Sequence, residues 1–324
     1  MTHAAWGLAA GLAMAAAVAT GPASAQDYPK GTVTVVVPYT PGGATDIIGR
    51  VVAQGLQKRL GGNFVVENVS GAAGSLGASR VARADADGQT LLFGALTSHS
   101  INMNLEPKPN FDLKTSFAPV ALAGNVALAV VVNPSLPVKN IQELVALAKS
   151  KPDELTYASS GPGSPQHLAG EMFNRAAGTK IRHVPYRGSS PAVVDLMGGQ
   201  VTMFIDTVPS VQPHVQSGKL KLLAVTTPEP SPQFPQAPTL DAEGLKGFDV
   251  SSWFGLLAPA KVSPEIVAKL NGAANETLKD PVALETLRAQ GVTPAPGSPE
   301  DAAELIAAQI DKWAEAVKAA DVKQ

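Results

Sequence analysis

The sequence predicts an α/β protein of two lobes, each a mainly parallel sheet flanked by helices, joined by two crossing strands. Three observations carry this reading. Short β-branched runs alternate with segments of helical period along the chain, the signature of parallel strands covered on both faces. Two long apolar runs, NVALAVVVNP at 125–134 and SSWFGLLAP at 251–259, end in proline and stand where one lobe would hand over to the other. A strand, a loop rich in glycine and small polar residues, and a helix follow one another in VVVPYTPGGATD and again in YASSGPGSPQHLAGEMF, once on each side of the first apolar run.

In the first lobe the runs 32–37, 64–67 and 90–94 read as strands, and 46–59 and 75–82 have helical period. In the second lobe 155–158, 181–184, 202–205 and 220–225 read as strands. Helices are expected there at 141–149, 166–177, 192–197 and 208–216, several ending at a glycine suited to a C-cap. TPEPSPQFPQAPT at 227–239 is too rich in proline for a helix or a central strand and reads as a surface connector. The tail is helical, with Ser-Pro-Glu starts at 263 and 298 that place serine at the N-cap and proline at the first helical position. The expected division is a discontinuous first lobe, 26–124 plus 251–324, and a second lobe, 125–250.

Composition narrows what such a clamshell can do. The 324 residues are 45% hydrophobic and 16% charged with a formal net charge of −2, enough chain for two cores and no basic face for nucleic acid. Cysteine is absent, which excludes disulfides and thiolate chemistry. The five histidines show no metal-ligand spacing, so neither a metal nor any other cofactor is expected. Residues 1–25 hold an uncharged apolar run followed by small residues at Ala23 and Ala25, which reads as a secretory leader cut after Ala25, although no Lys or Arg precedes its apolar core.

Loops that follow strands are where ligands gather in open α/β sheets. In PYTPGGATD, Gly42 and Gly43 are expected to permit positive φ, and amides left free at the helix start suit a carboxylate or phosphate without any cationic side chain. Tyr39, Thr40 and Asp46 share that corner. The second glycine-rich entry, NVSGAAGSLGAS, lacks dinucleotide-fingerprint spacing and is expected to pack close to the cleft floor. Thr97 and Ser98 could donate hydroxyls to a ligand or cap a turn. In the second lobe Ser159, Ser160, Gly161, Ser164 and His167 repeat the corner. Tyr186, Gly188 and Ser189 form a further turn, and Asp206 ends a strand. Arg187, beside glycine in a loop, reads as solvated. No Gly-x-Ser-x-Gly elbow occurs, which weighs against a hydrolase.

The order VPYTPGGATDIIGR, ENVSGAAGSLGA, YASSGPGSPQHLAGEMF, HVPYRGSSPAVVDLMGGQV, GKLKLLAVTT and WFGLLAPAKVSPEIVAKLN resembles the Bordetella uptake gene family, the extracytoplasmic receptors of tripartite tricarboxylate transporters. The resemblance covers nearly all of the chain beyond the leader. It implies a periplasmic, type II-like Venus flytrap that closes around a small organic acid and delivers it to inner-membrane permease subunits, acting as a monomer and not as an enzyme. It also implies that main-chain amides, hydroxyls and waters hold the carboxylate. Carried across, this points to Tyr39, Thr40, Gly42, Gly43 and Asp46 on one side and Ser159, Ser160, Gly161, Ser164 and His167 on the other. Ala72, Ala73, Thr97, Ser98, Tyr186, Gly188 and Asp206 would line the remainder, with Arg187 and Trp253 left open. The rival expectations are a secreted enzyme acting on a small acid and a ligand-sensing partner of a histidine kinase.

Overall fold

The computed structural model describes residues 28–320, so the expected leader lies outside the described residues. The first lobe opens with β1 (Thr32–Val37), α1 (Ala44–Leu60), β2 (Asn63–Asn68), α2 (Ser75–Ala82), β3 (Thr90–Ala95) and α3 (Leu96–Asn102). The long strand β4 (Phe117–Val132) leads to α4 (Ile141–Ser150), β5 (Thr156–Ser159), α5 (Pro165–Ala177), β6 (Arg182–Pro185), α6 (Ser189–Met197), β7 (Met203–Thr207), α7 (Val208–Gln216) and β8 (Lys221–Val225). The chain returns through β9 (Ser251–Pro259), α8 (Pro264–Lys279), α9 (Pro281–Ala289), β10 (Val292–Pro294) and α10 (Pro299–Ala320).

The strands form one sheet in the order β2-β1-β3-β9-β4-β7-β5-β6, with β8 and β10 also paired to β4. Pairings distant from the hinge are parallel, namely β1 with β2 and β3, and β5 with β6 and β7. Those made by β4 and β9 are antiparallel. β4 is the member common to both lobes: residues 117–127 pair with β9, and Leu128 to Val132 pair with β7. It begins earlier than its apolar run, because register shifts after Pro119 and Leu122 let a proline and a glycine stay in the ladder. β1 and β5 each lie between two parallel neighbours, so the loops after them open at the carboxyl ends where strand order reverses.

Each lobe buries apolar clusters on both faces of its sheet. Two helices do not respect the linear division of the chain. α10 places Ala302 and Ile306 in a first-lobe cluster and Trp313 and Val317 in a second-lobe cluster. α3, which periodicity did not reveal, is buried along its whole length, with Leu96 in the first-lobe cluster and Ile101 in the second. A helix enclosed on all sides has no polar face to alternate with an apolar one. Among the described residues no helix is long and apolar enough to cross a membrane.

Candidate functional site

The loop after β1 is held from behind. Asp46 accepts from Gly42 N at 3.0 Å, from Arg50 Nε at 3.0 Å and from Asn68 Nδ2 at 3.0 Å. Burial alone would raise its carboxyl, but these bonds and the Arg50 charge outweigh that and hold it below its ordinary value. Gly42 takes φ +84°, the left-handed angle expected of it. Gly43 does not: it is the N-cap at φ −83°, ψ 169°, so the expectation of two positive-φ glycines is corrected to one. Helix α1 then starts at Ala44, and the amides of its first turn, Ala44, Thr45 and Asp46, have no helical acceptor. Ala44 N donates across the cleft to Ser210 Oγ at 3.2 Å.

The second floor segment is strained. Ala72 and Ala73 hold φ +46° and +47°, costly for residues with a Cβ. The Ala73 carbonyl fixes the turn by accepting from Tyr39 OH at 2.9 Å, Ser98 Oγ at 3.0 Å and Asn102 Nδ2 at 3.3 Å. Ser98 is therefore a prop beneath the loop. Thr97 is fully buried and ties α3 to the returning strand β9, accepting from Trp253 N at 3.0 Å.

On the second lobe, Asp206 gathers three helix starts. Its Oδ1 accepts from Gln166 Nε2 in α5 at 2.8 Å, Ser189 Oγ in α6 at 3.0 Å and Thr207 N ahead of α7 at 2.7 Å. Ser160 Oγ donates to Gln166 Oε1 at 2.9 Å, extending the network to the β5 corner. Burial raises the Asp206 carboxyl from its ordinary 3.8 to about 6, against the pull of these donors. Ser164 caps α5 by accepting from His167 N at 3.3 Å.

These corners enclose an inner chamber of ≈ 30 Å³. The first lobe contributes Tyr39, Thr40, Gly43, Ala44 and Thr45; the second contributes Ser160, Pro165, Gln166, Ser189 and Thr207; Ala95, Ser252 and Phe254 close the hinge side. By the volume one water requires, this is room for about two waters or one carboxylate head. Thr40 and Ser160 also line an outer cavity of ≈ 580 Å³, together with Ala72, Ala73, Gly161 and Tyr186. No charged side chain lines the inner chamber. Thr40 Oγ1 is buried without a hydrogen-bond partner. The lobes meet around it, with Ser190 Oγ donating to Pro41 O at 2.6 Å.

Of the residues singled out in the sequence, Tyr39, Thr40, Gly43 and Ser160 line the inner chamber and Ala72, Ala73, Gly161 and Tyr186 the outer cavity. Gly42, Asp46, Thr97, Ser98, Ser159, Ser164, His167, Gly188 and Asp206 stand behind those walls, shaping them.

Residues 48–322 match the family described as "Tripartite tricarboxylate transporter family receptor". The chain belongs to that receptor family. Protein BugT of Bordetella pertussis is 37% identical over 314 residues, spanning 97% of the receptor and 96% of BugT. An R. palustris protein solved with adipate superposes at a TM-score of 0.89 with 36% identity, over 92% of the receptor and 99% of that chain. MatC from Rhodopseudomonas palustris, with bound malate, does so at 0.86 with 34% identity, over 90% and 100%.

The receptor draws on lining residues that motif reading passed over. Gln166, Ser189 and Thr207 were not assigned to the pocket, although each is a polar residue near a junction between a predicted strand and the helix that follows, as Thr40 and Ser160 are. Beneath the β5 corner, His167 and His183 stack with ring centroids 3.9 Å apart. His167 Nδ1 accepts from Gly163 N at 3.1 Å, and Ser159 Oγ lies 2.6 Å from His183 Nε2. Burial pushes His167 down to about 4, and burial with the His167 charge pushes His183 down to about 3. Both pKa values are depressed on folding, so the stability they contribute is present above the unfolded value near 6.5 and lost as pH falls toward about 4. The His183→Gln variant should therefore lose less stability than wild type between pH 7 and pH 5, measured by denaturant unfolding at each pH.

Proposed function

We propose that the receptor captures a small organic carboxylate between its lobes, closes over it by hinge motion and delivers it unchanged to the permease of a tripartite tricarboxylate transporter. It works in the periplasm as a monomer, after removal of its leader at Ala25. The observation that carries this reading is the inner chamber: the unpartnered Thr40 hydroxyl, the start of α1 and polar residues of both lobes surround a space for one carboxylate head with no charged side chain in its wall. A helix start and a hydroxyl held in place stabilise an anion without reorganising, and the α1 dipole adds to them. Each hydrogen bond to a charged oxygen contributes about 1.5–3 kcal/mol, and several, less the cost of association, support micromolar binding or tighter. The ligand favours closure because only the closed form presents both walls.

Two observations support binding without turnover. The Ser159 and His183 pair, which could suggest a nucleophile and base, lies outside both cavities, and Ser159 is fully buried. Relatives were solved with adipate and with bound malate, and a ligand of that chemistry suits this chamber. The test is calorimetric titration of the purified receptor with a panel of mono-, di- and tricarboxylates, with product analysis after overnight incubation. At least one acid should bind with a micromolar or lower Kd and be recovered unchanged; no binding across the panel, or conversion of the bound acid, would sink the reading.

A further inference from the structure

The inner chamber and the outer cavity share Thr40 and Ser160, so the outer cavity is the adjoining space for the rest of a ligand whose head fills the first. Beyond the shared Thr40 and Ser160, the outer wall is made of alanine, proline and glycine, with two exceptions, Tyr186 and Arg187. Tyr186 is committed, since its OH donates to Asp195 Oδ2 at 2.8 Å. Arg187 is not: it is the single charged side chain in the lining of either cavity, and among the described residues it joins no ion pair. By contrast Arg50, Arg59 and Arg80 each meet an acidic partner.

Its backbone is fixed on both sides. Tyr186 N donates to Ser159 O at 3.0 Å, and Gly188 sits directly against Thr40 of the opposite lobe. The guanidinium therefore swings from a held anchor at the mouth of the chamber, unlike an arginine on a loose surface loop. A planar fork of donors with no protein partner is matched to a carboxylate, which it can bind in bidentate fashion.

We propose that Arg187 reads a second carboxylate at the far end of the ligand, so that the receptor selects unbranched α,ω-dicarboxylates over monocarboxylates of the same length. This deepens the carboxylate reading above and rests on it. Uncharged dipoles hold the near end, and one cation at the rim sets specificity for the other.

The test is calorimetric titration of wild type, Arg187→Gln and Arg187→Glu with glutarate and adipate, with pentanoate and hexanoate as matched monoacids, and with 6-aminohexanoate. Wild type should bind each diacid about tenfold or more tightly than its monoacid, the size of one charge-assisted contact. Arg187→Gln should lose that preference while keeping its affinity for the monoacids, and Arg187→Glu should shift toward 6-aminohexanoate. Melting temperatures without ligand should agree among the three proteins, because Arg187 is exposed. If Arg187→Gln keeps the full diacid preference, or wild type binds mono- and diacids equally, the inference is wrong and the carboxylate reading stands. If wild type binds none of these acids, the inference is wrong, and the carboxylate reading is decided by the wider panel above.

Discussion

Replacing Gly188 with valine is expected to weaken ligand binding at least about a hundredfold while the ligand-free protein still folds. A Cβ built on Gly188 would lie 2.3 Å from Thr40 Oγ1, 3.3 Å from Thr40 Cβ and 3.4 Å from Thr40 Cγ2. Gly188 belongs to the second lobe and Thr40 to the first, so the clash exists only when the lobes meet. The backbone angle at Gly188, φ +156°, adds a strain that L residues rarely accept. The open state avoids the contact, and apparent affinity falls by the fraction of molecules still able to close. A hundredfold loss corresponds to about 2.7 kcal/mol of closure free energy, a modest demand for a contact well inside van der Waals distance. Titration calorimetry gives the affinity, and small-angle scattering with and without ligand reports whether compaction is lost. Unchanged affinity in a folded variant would show that the lobes need not approach as closely as they do here.

The second large effect is expected at Asp206. Truncation to alanine leaves Gln166 Nε2, Ser189 Oγ and Thr207 N without their acceptor in a fully buried place. An orphaned buried donor costs about 1–3 kcal/mol, so three of them should lower stability by roughly 3 kcal/mol or more, with a fall of roughly 5–10 °C in Tm. Ligand binding should fail as well, because the starts of α5, α6 and α7 lose the atom on which they converge. Asp206→Asn keeps an acceptor oxygen and should be milder. It also exposes the pH dependence. Burial raises the Asp206 carboxyl from 3.8 to about 6, so between those values the folded protein holds more protons than the unfolded chain. Its contribution is full below pH about 4 and is lost as pH rises through about 6, opposite in sign to that of the two stacked histidines. The stability advantage of wild type over Asp206→Asn should accordingly shrink between pH 4 and pH 7 in denaturant titrations. A constant difference across that range would mean the carboxyl titrates as it does in water.

The residues that could be placed from the sequence are those whose environment is local. Gly42 was marked because a tight turn between a strand and a helix needs a left-handed residue, and Ser263 because an N-cap ahead of Pro can be read within four residues. Gly43 was misjudged, since a neighbouring glycine pair cannot say which member carries the positive angle and which serves as N-cap. α3 escaped because its burial on every side erased its period, and β4 was shortened because a proline and a glycine interrupt its first half. Thr97 and Ser98 were left between ligand donors and turn caps because a hydroxyl after a strand looks the same whether it faces a cleft, supports a loop as Ser98 does or ties a neighbouring strand as Thr97 does.

What the sequence by itself determined is the order of most elements, the two glycine-rich corners after β1 and β5, the scarcity of charge around them and the membership of a receptor family. These follow from backbone propensity, turn chemistry and composition, all of which act over a few residues. What only the tertiary structure decided is which atoms share a wall. Gln166 and Asp206 are 40 residues apart, and Ala44 and Ser210 are 166 apart. They meet because parallel pairing of β5 with β7 and the run of β4 through both lobes fix where each helix begins. Strand order and register are cooperative properties of the whole sheet, and no single segment encodes them.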